Sequence, residues 1–214
     1  CGTGELTKIL ADKFAESKVL GIDTSAEMLA KAPLQDNLSF SRISIQKQIE
    51  LNVKWDLILA NASLQWINDH QELFPAMIAR LSGDGQLAVQ MPSQKENLLN
   101  QILFELVHEP PYFEKLSGVI RQSPILSLDE YTFLLIRSGA KQVVIYQKVY
   151  PLITQSIDSL YEFIAGSALI PYMEKLDENM KSEFEKEFRY RISKSFPSSP
   201  FIYAFKRLIL VGQF

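Results

Sequence analysis

The chain has 214 residues, 47% hydrophobic and 22% charged, with 9 Gly, 10 Pro, one Cys and two His. Lys and Arg total 22 against 25 Asp and Glu, a formal net charge of −3, which supplies no general electrostatic draw to nucleic acid or to an anionic membrane. One Cys excludes an internal disulfide framework and a Cys-cluster zinc site, and two His argue against a His-rich metal centre; no apolar run approaches the ~20 residues of a membrane span. No signal peptide is expected. The expectation is a medium domain with an elaboration, holding no metal, in the reducing cytoplasm.

The first residues, Cys1-Gly2-Thr3-Gly4, form a glycine-rich turn leading into a helix with Leu6, Ile9, Leu10 and Phe14 at helical spacing. Such a turn joins two elements, so a strand feeding it is expected upstream of residue 1. Residues 18–23 read as a short buried strand ending on an acid. Residues 24–32 read as a short helix capped by Thr24 or Ser25. Strands are expected at 38–43 and 55–62, a helix at 68–81 stopped by the Ser-Gly-Asp-Gly turn at 82–85, and a strand at 86–92. This alternation implies a parallel sheet with helices on both faces and right-handed crossovers. From about residue 93 the pattern changes. An amphipathic helix at 94–109 ends at Pro110-Pro111. Ser127 and Glu130 stand at capping-box spacing ahead of a helix that stops at Gly139. A strand at 142–153 and helices at 156–166 and 177–194 follow; Met180, Phe184 and Phe188 fall four apart on one face. The apolar segment 203–214 reads as a late strand, antiparallel beside 142–153. The fold class is α/β: a doubly wound, mostly parallel sheet with an antiparallel C-terminal strand and a helical elaboration. Residues 1–92 form the ligand-binding part, and 93–214 the helical cap and the last strands of the same sheet.

Ligands of such sheets bind at the carboxyl ends of the strands. The glycines of residues 1–4 let a backbone approach a ligand closely, and the helix amides behind them favour negative charge. Asp23 closes the next strand, 19 positions beyond Gly4, where a carboxylate can accept from both hydroxyls of a ribose. Dinucleotide enzymes and S-adenosylmethionine enzymes share this pairing. A dinucleotide loop needs a third glycine, and Thr7 stands there instead, which disfavours a pyrophosphate.

The segments CGTG, GIDTSAEMLAKA, WDLILANASLQW and LSGDGQLAVQMP together resemble the class I S-adenosylmethionine-dependent methyltransferases, over nearly all of the chain. Residues 60–92 carry a narrower resemblance to the trans-aconitate methyltransferase family, as do 166–176 and 205–211 more loosely. The resemblance implies a Rossmann-like fold and S-adenosyl-L-methionine as cofactor. It places Cys1, Gly2, Thr3 and Gly4 around the methionine part and Asp23 on the ribose. Thr24 and Met28 line the same pocket, although helical spacing equally suits Met28 to the core. Asn61 and Ala62 follow the strand where the family places backbone contacts to the cofactor amino group. Trp66 either walls the methyl-transfer pocket or fills the core. Two departures stand out. Ser44 takes the position of the acid usually found near the adenine amino group, and PSQKENLLN replaces a short His-containing motif after residue 92.

The implied reaction is methyl transfer to a carboxylate of a small polycarboxylic acid such as trans-aconitate. A carboxylate is ionised at pH 7, so no general base is required, and no residue is assigned a catalytic proton transfer. Alignment and removal of water remain for the protein to supply. His70 is a candidate donor to the acceptor, with an exposed helix-start position as its plainer reading. Arg207 and Lys206 are candidate cations, Arg207 the better for bidentate recognition; Arg189 and Arg191 are further candidates. Two alternatives stand beside this: a methyltransferase acting on a malonyl carrier protein in biotin synthesis, which shares the front half, and a non-catalytic S-adenosylmethionine-binding protein, to which Ser44 points. The first would have a carrier protein as partner; otherwise the partner is a small-molecule carboxylate.

Overall fold

A computed structural model describes residues 1–120 and 122–214. The chain divides into two compact units: residues 1–90, 126–145 and 210–214 form the first, and 91–125 and 146–209 the second. The division is therefore not a single cut at residue 92, because 126–145 and the last five residues rejoin the first unit.

In the first unit, α1 (Glu5–Lys13) follows the glycine turn, with Gly4 as its N-cap at φ +79°. β1 (Val19–Asp23) leads into α2 (Ala26–Leu29). Ser25, rather than Thr24, caps α2 by accepting the Met28 amide at 3.2 Å. β2 (Leu38–Arg42) pairs parallel with β1, Asp23 standing opposite Arg42. A short α3 (Ile45–Glu50), not expected from the sequence, starts at Ser44. β3 (Trp55–Asn61) is followed by a 3₁₀ turn (Leu64–Trp66) and α4 (His70–Ile78). β4 (Leu81–Pro92) then pairs parallel with β3. The pairing jumps from Leu81 opposite Trp55 to Gln86 opposite Leu57. The Ser-Gly-Asp-Gly segment expected as a free turn is thus an outward bulge, with Asp84 at φ +60°.

The second unit begins with α5 (Leu98–Val107) and α6 (Tyr112–Leu116). The chain then re-enters the first unit as α7 (Leu128–Arg137). The expected capping box is formed: Ser127 Oγ accepts the Glu130 amide, and Glu130 Oε2 accepts the Ser127 amide at 2.8 Å. After β5 (Gln142–Thr154) come α8 (Ile157–Ile164), a π-helical turn (Ala165–Leu169), α9 (Ile170–Met173), α10 (Glu178–Ser195) and β6 (Phe201–Gln213).

The strands form a β1-β2 pair and a four-stranded sheet in the order β3-β4-β6-β5. Phe214 donates its amide to Gly85, and Ser93 donates to Lys206, so β6 runs antiparallel to β4. The late strand does lie beside β5, but it is interior and β5 takes the edge. In the second unit, α5, α8 and α10 pack around Phe184, Phe188 and Ile192, each fully buried. These extend the four-residue spacing read in the sequence, since residues at i and i+4 share a helix face. In the first unit, α4 and α7 pack together through Phe74 and Tyr131, their ring centroids 5.1 Å apart.

Candidate functional site

The carboxylate that closes β1 is tied to the glycine turn. Asp23 Oδ2 accepts the Gly2 amide at 2.7 Å and the main-chain nitrogen of Cys1 at 2.9 Å. Its Oδ1 accepts the Ser25 amide at 3.0 Å. Burial works against the charged form, but the Ser25 and Gly2 amides favour it, and the carboxyl lies below its ordinary range. Asp23 is therefore ionised at neutral pH. A carboxylate offers about four lone-pair positions; three are used, and Oδ1 keeps one for a ligand.

The turn has two differently packed glycine positions. Gly2 sits at φ +59°, and nothing lies within 4 Å of where a Cβ would project. That position is open. At Gly4 and Gly21 a Cβ would come within 2.6 Å of the Phe40 ring. Phe40 on β2 thus seals the underside of the turn, and both glycines are required by its close approach. The sequence held no signal for Phe40, which is one apolar residue in a short strand.

Beyond β3, Asn61 stands opposite Gln90 in the parallel pairing. Ala62 turns the chain at φ +50°, a left-handed conformation costly for a residue with a Cβ. Its amide donates to Gln90 O at 2.9 Å, and its carbonyl accepts Gln65 Nε2 at 2.9 Å. Gln65 is 5% exposed, and its Oε1 is buried without a hydrogen-bond partner. Gln65 is a residue the sequence reading missed, although it sits inside the quoted LQW segment.

The remaining residues divide clearly. Met28 and Trp66 are 44% and 43% exposed, so neither fills the core. Ser44 Oγ accepts the Lys47 amide as the cap of α3, which leaves its O–H as a donor. Thr3 and Thr24 lie on the two segments that Asp23 joins. His70 requires a correction. It is 1% exposed, with Nδ1 against Tyr131 Oη at 2.5 Å and Nε2 against Leu64 O at 3.0 Å. Both ring nitrogens are committed within the first unit, so His70 is neither surface-exposed nor available to donate to an acceptor molecule.

Lys206 and Arg207 belong to the second unit. Lys206 is pinned by its main chain: Asn97 Oδ1 accepts its amide at 2.8 Å, and Asn97 Nδ2 donates to its carbonyl at 3.0 Å. Its Nζ donates to Glu96 O at 3.2 Å. The Arg207 guanidinium lies 4.9 Å from the Phe205 ring centroid and 5.8 Å from that of Tyr150. Arg191 is held by Glu109 and Glu187, and Arg189 by Asp158 and the Tyr161 ring. These two arginines serve the packing of α10. Among the described residues, no group of three or more His, Cys, Asp or Glu could hold a metal ion, and no helix is long and apolar enough to cross a membrane.

A methyltransferase-domain family model matches residues 1–87. Trans-aconitate 2-methyltransferase of Deinococcus radiodurans is 36% identical over 99% of this chain and 83% of its own length. The enzyme of the same name from Variovorax paradoxus is 30% identical over all of this chain and 84% of its own. In fold, the chain is similar to phosphoethanolamine N-methyltransferase 2 of Haemonchus contortus, solved with S-adenosyl-L-methionine. The TM-score is 0.55 at 14% identity, over 99% of this chain and 46% of that one.

Proposed function

Since the chain belongs to the trans-aconitate 2-methyltransferase family, we propose that this S-adenosylmethionine-dependent methyltransferase esterifies a carboxylate of a small polycarboxylic acid, trans-aconitate being the acceptor in its relatives' name. The observation that carries this reading is the ionised Asp23 bound to the glycine turn, beside the open position over Gly2. The donor set fits the cofactor. Asp23 Oδ1 has a lone pair for a ribose hydroxyl, and Gly2 leaves room for the methionine part. The buried Gln65 Oε1 is an acceptor that suits an ammonium group.

S-adenosylmethionine, when bound, supplies an electrophilic methyl group. The chain's own residues bind, orient and exclude water. Cys1, Gly2, Thr3 and Gly4 hold the methionine part, and Asp23 and Thr24 the ribose. Met28, exposed on α2, covers the adenine, and Ser44 donates its O–H to a ring nitrogen. Asn61 and Ala62 present main-chain groups to the amino-acid end. Trp66 displaces water from the reacting carboxylate, which is already ionised and needs no base. Arg207, its guanidinium 4.9 Å from the Phe205 ring centroid, is the second unit's candidate for a bidentate carboxylate contact, with Lys206 next to it in the chain. This reading sets the reaction in the cytoplasm.

Calorimetry with S-adenosylmethionine, followed by methyl-ester assays on trans-aconitate, citrate and a malonyl carrier protein, tests this. Binding with turnover of trans-aconitate is expected. Turnover of the carrier protein alone would move the function to that substrate. Binding without turnover of any carboxylic acid would make the chain a cofactor-binding protein.

A further inference from the structure

His70 has lost its place as an acceptor ligand, yet its arrangement is more specific than core packing needs. Tyr131 Oη accepts the Leu126 amide at 3.3 Å, so its own hydrogen is free to point at His70 Nδ1, 2.5 Å away. That leaves the proton of the imidazole on Nε2, which donates to Leu64 O at 3.0 Å. Leu64 opens the 3₁₀ turn that exposes Trp66, and its carbonyl also accepts the Ile67 amide at 2.9 Å. A relay therefore runs from the Leu126 amide through Tyr131 and His70 to Leu64. Tyr131 and His70 are 0% and 1% exposed, so neither can exchange its partner for water.

We propose that His70 is a positioning residue for methyl transfer: held by Tyr131 at Nδ1, it grips the Leu64 carbonyl through Nε2 and so fixes the turn that carries Trp66, and a proton on Nδ1 breaks the Tyr131 contact that seats the ring there. The proposal rests on the reading that this turn borders the cofactor. Protonation would convert Nδ1 from acceptor to donor. Tyr131 Oη would then accept from two N–H groups, and its own hydrogen would be left buried without an acceptor. Burial holds the imidazole below its ordinary range, opposed by the Leu64 and Ile67 carbonyls and by the Asp69 charge. Asp69, on the cap of α4, and Tyr131 and Glu130, on α7, are the titratable groups that face the pair; the Phe74 ring packs on it without charge.

Three variants and two readouts test this. His70→Gln places an amide N–H near the Nε2 position and cannot titrate. His70→Asn is too short to reach Leu64. Tyr131→Phe removes the donor that favours the neutral ring. In a Trp55→Phe background, the emission of Trp66 without cofactor should shift on acidification below pH ~6.5. His70→Gln should abolish that shift, and Tyr131→Phe should move it to higher pH. In turnover, His70→Asn should lower kcat on the order of tenfold with S-adenosylmethionine affinity within about threefold, the signature of misplacement. His70→Gln should restore most of that loss. An acid shift of Trp66 emission that persists in His70→Gln overturns the proposal, as does a kcat for His70→Asn equal to wild type. If His70→Asn fails to fold, the emission profiles of the other two variants decide. If wild type binds the cofactor but methylates no carboxylic acid, the functional reading fails, while the emission profiles still judge the hold on the turn.

Discussion

Asp23→Asn separates the two duties of the acid that closes β1. The wild-type carboxylate accepts the Gly2 and Ser25 amides at 2.7 and 3.0 Å, and its carboxyl lies below the ordinary 3.8. Two charge-assisted amide bonds of this kind contribute on the order of 2 kcal/mol of folding stability at neutral pH. Because the folded carboxyl is lowered, the contribution is complete above about pH 4 and is lost as the pH falls toward 2. An Asn keeps one acceptor and turns an NH₂ toward the Cys1 and Gly2 nitrogens, so two donors confront one another. Urea denaturation at pH 7 should show the variant less stable by roughly 2–3 kcal/mol. The gap should close as the pH is lowered from about 4, because wild type loses the same bonds. Calorimetry should show S-adenosylmethionine affinity reduced by roughly 10- to 100-fold, the loss of one charge-assisted hydrogen bond. No gap at pH 7, or one that persists undiminished below pH 3, would refute the account of Asp23 as the staple of the turn. Affinity within twofold of wild type would refute its contact with the ribose.

Other substitutions probe separate parts of the site. Gly21→Ala drives a methyl group to within 2.6 Å of the Phe40 ring and should cost about 1–3 kcal/mol in urea unfolding; adding Phe40→Leu should recover part of it. Trp66→Ala removes a side chain already 43% exposed, so Tm should hardly move while methyl transfer to trans-aconitate slows. Arg207→Ala should raise the KM for the acceptor and leave S-adenosylmethionine affinity alone, by calorimetry and steady-state kinetics. If it weakens cofactor binding only, the assignment of Arg207 to the acceptor is wrong.

What a short stretch of chain decides was legible in the residues. The Ser127–Glu130 capping box and the Phe184–Phe188 spacing each involve neighbours within four positions. The glycine turn and the strand ending on Asp23 were legible as well, each being set by neighbouring residues, whereas the bond from Gly2 to Asp23 was not read. Helices α3 and α6 escaped notice because six and five residues are too few to establish a period. The segment 82–85 has the composition of a turn, but pairing of β4 with Trp55 on one side and Leu57 on the other makes it a bulge.

The fates of His70 and Phe40 could not be read from the chain. His70 is defined by Tyr131, 61 positions away, and by the carbonyl of Leu64. Phe40 acts on two glycines from separate segments. Local composition determines which backbone shapes and which charges are available, since those depend on neighbouring atoms alone. Whether a titratable ring meets solvent or is enclosed between two helices depends on which distant surfaces pack together. Only the tertiary structure decided that, because burial and partner choice are properties of the assembled core.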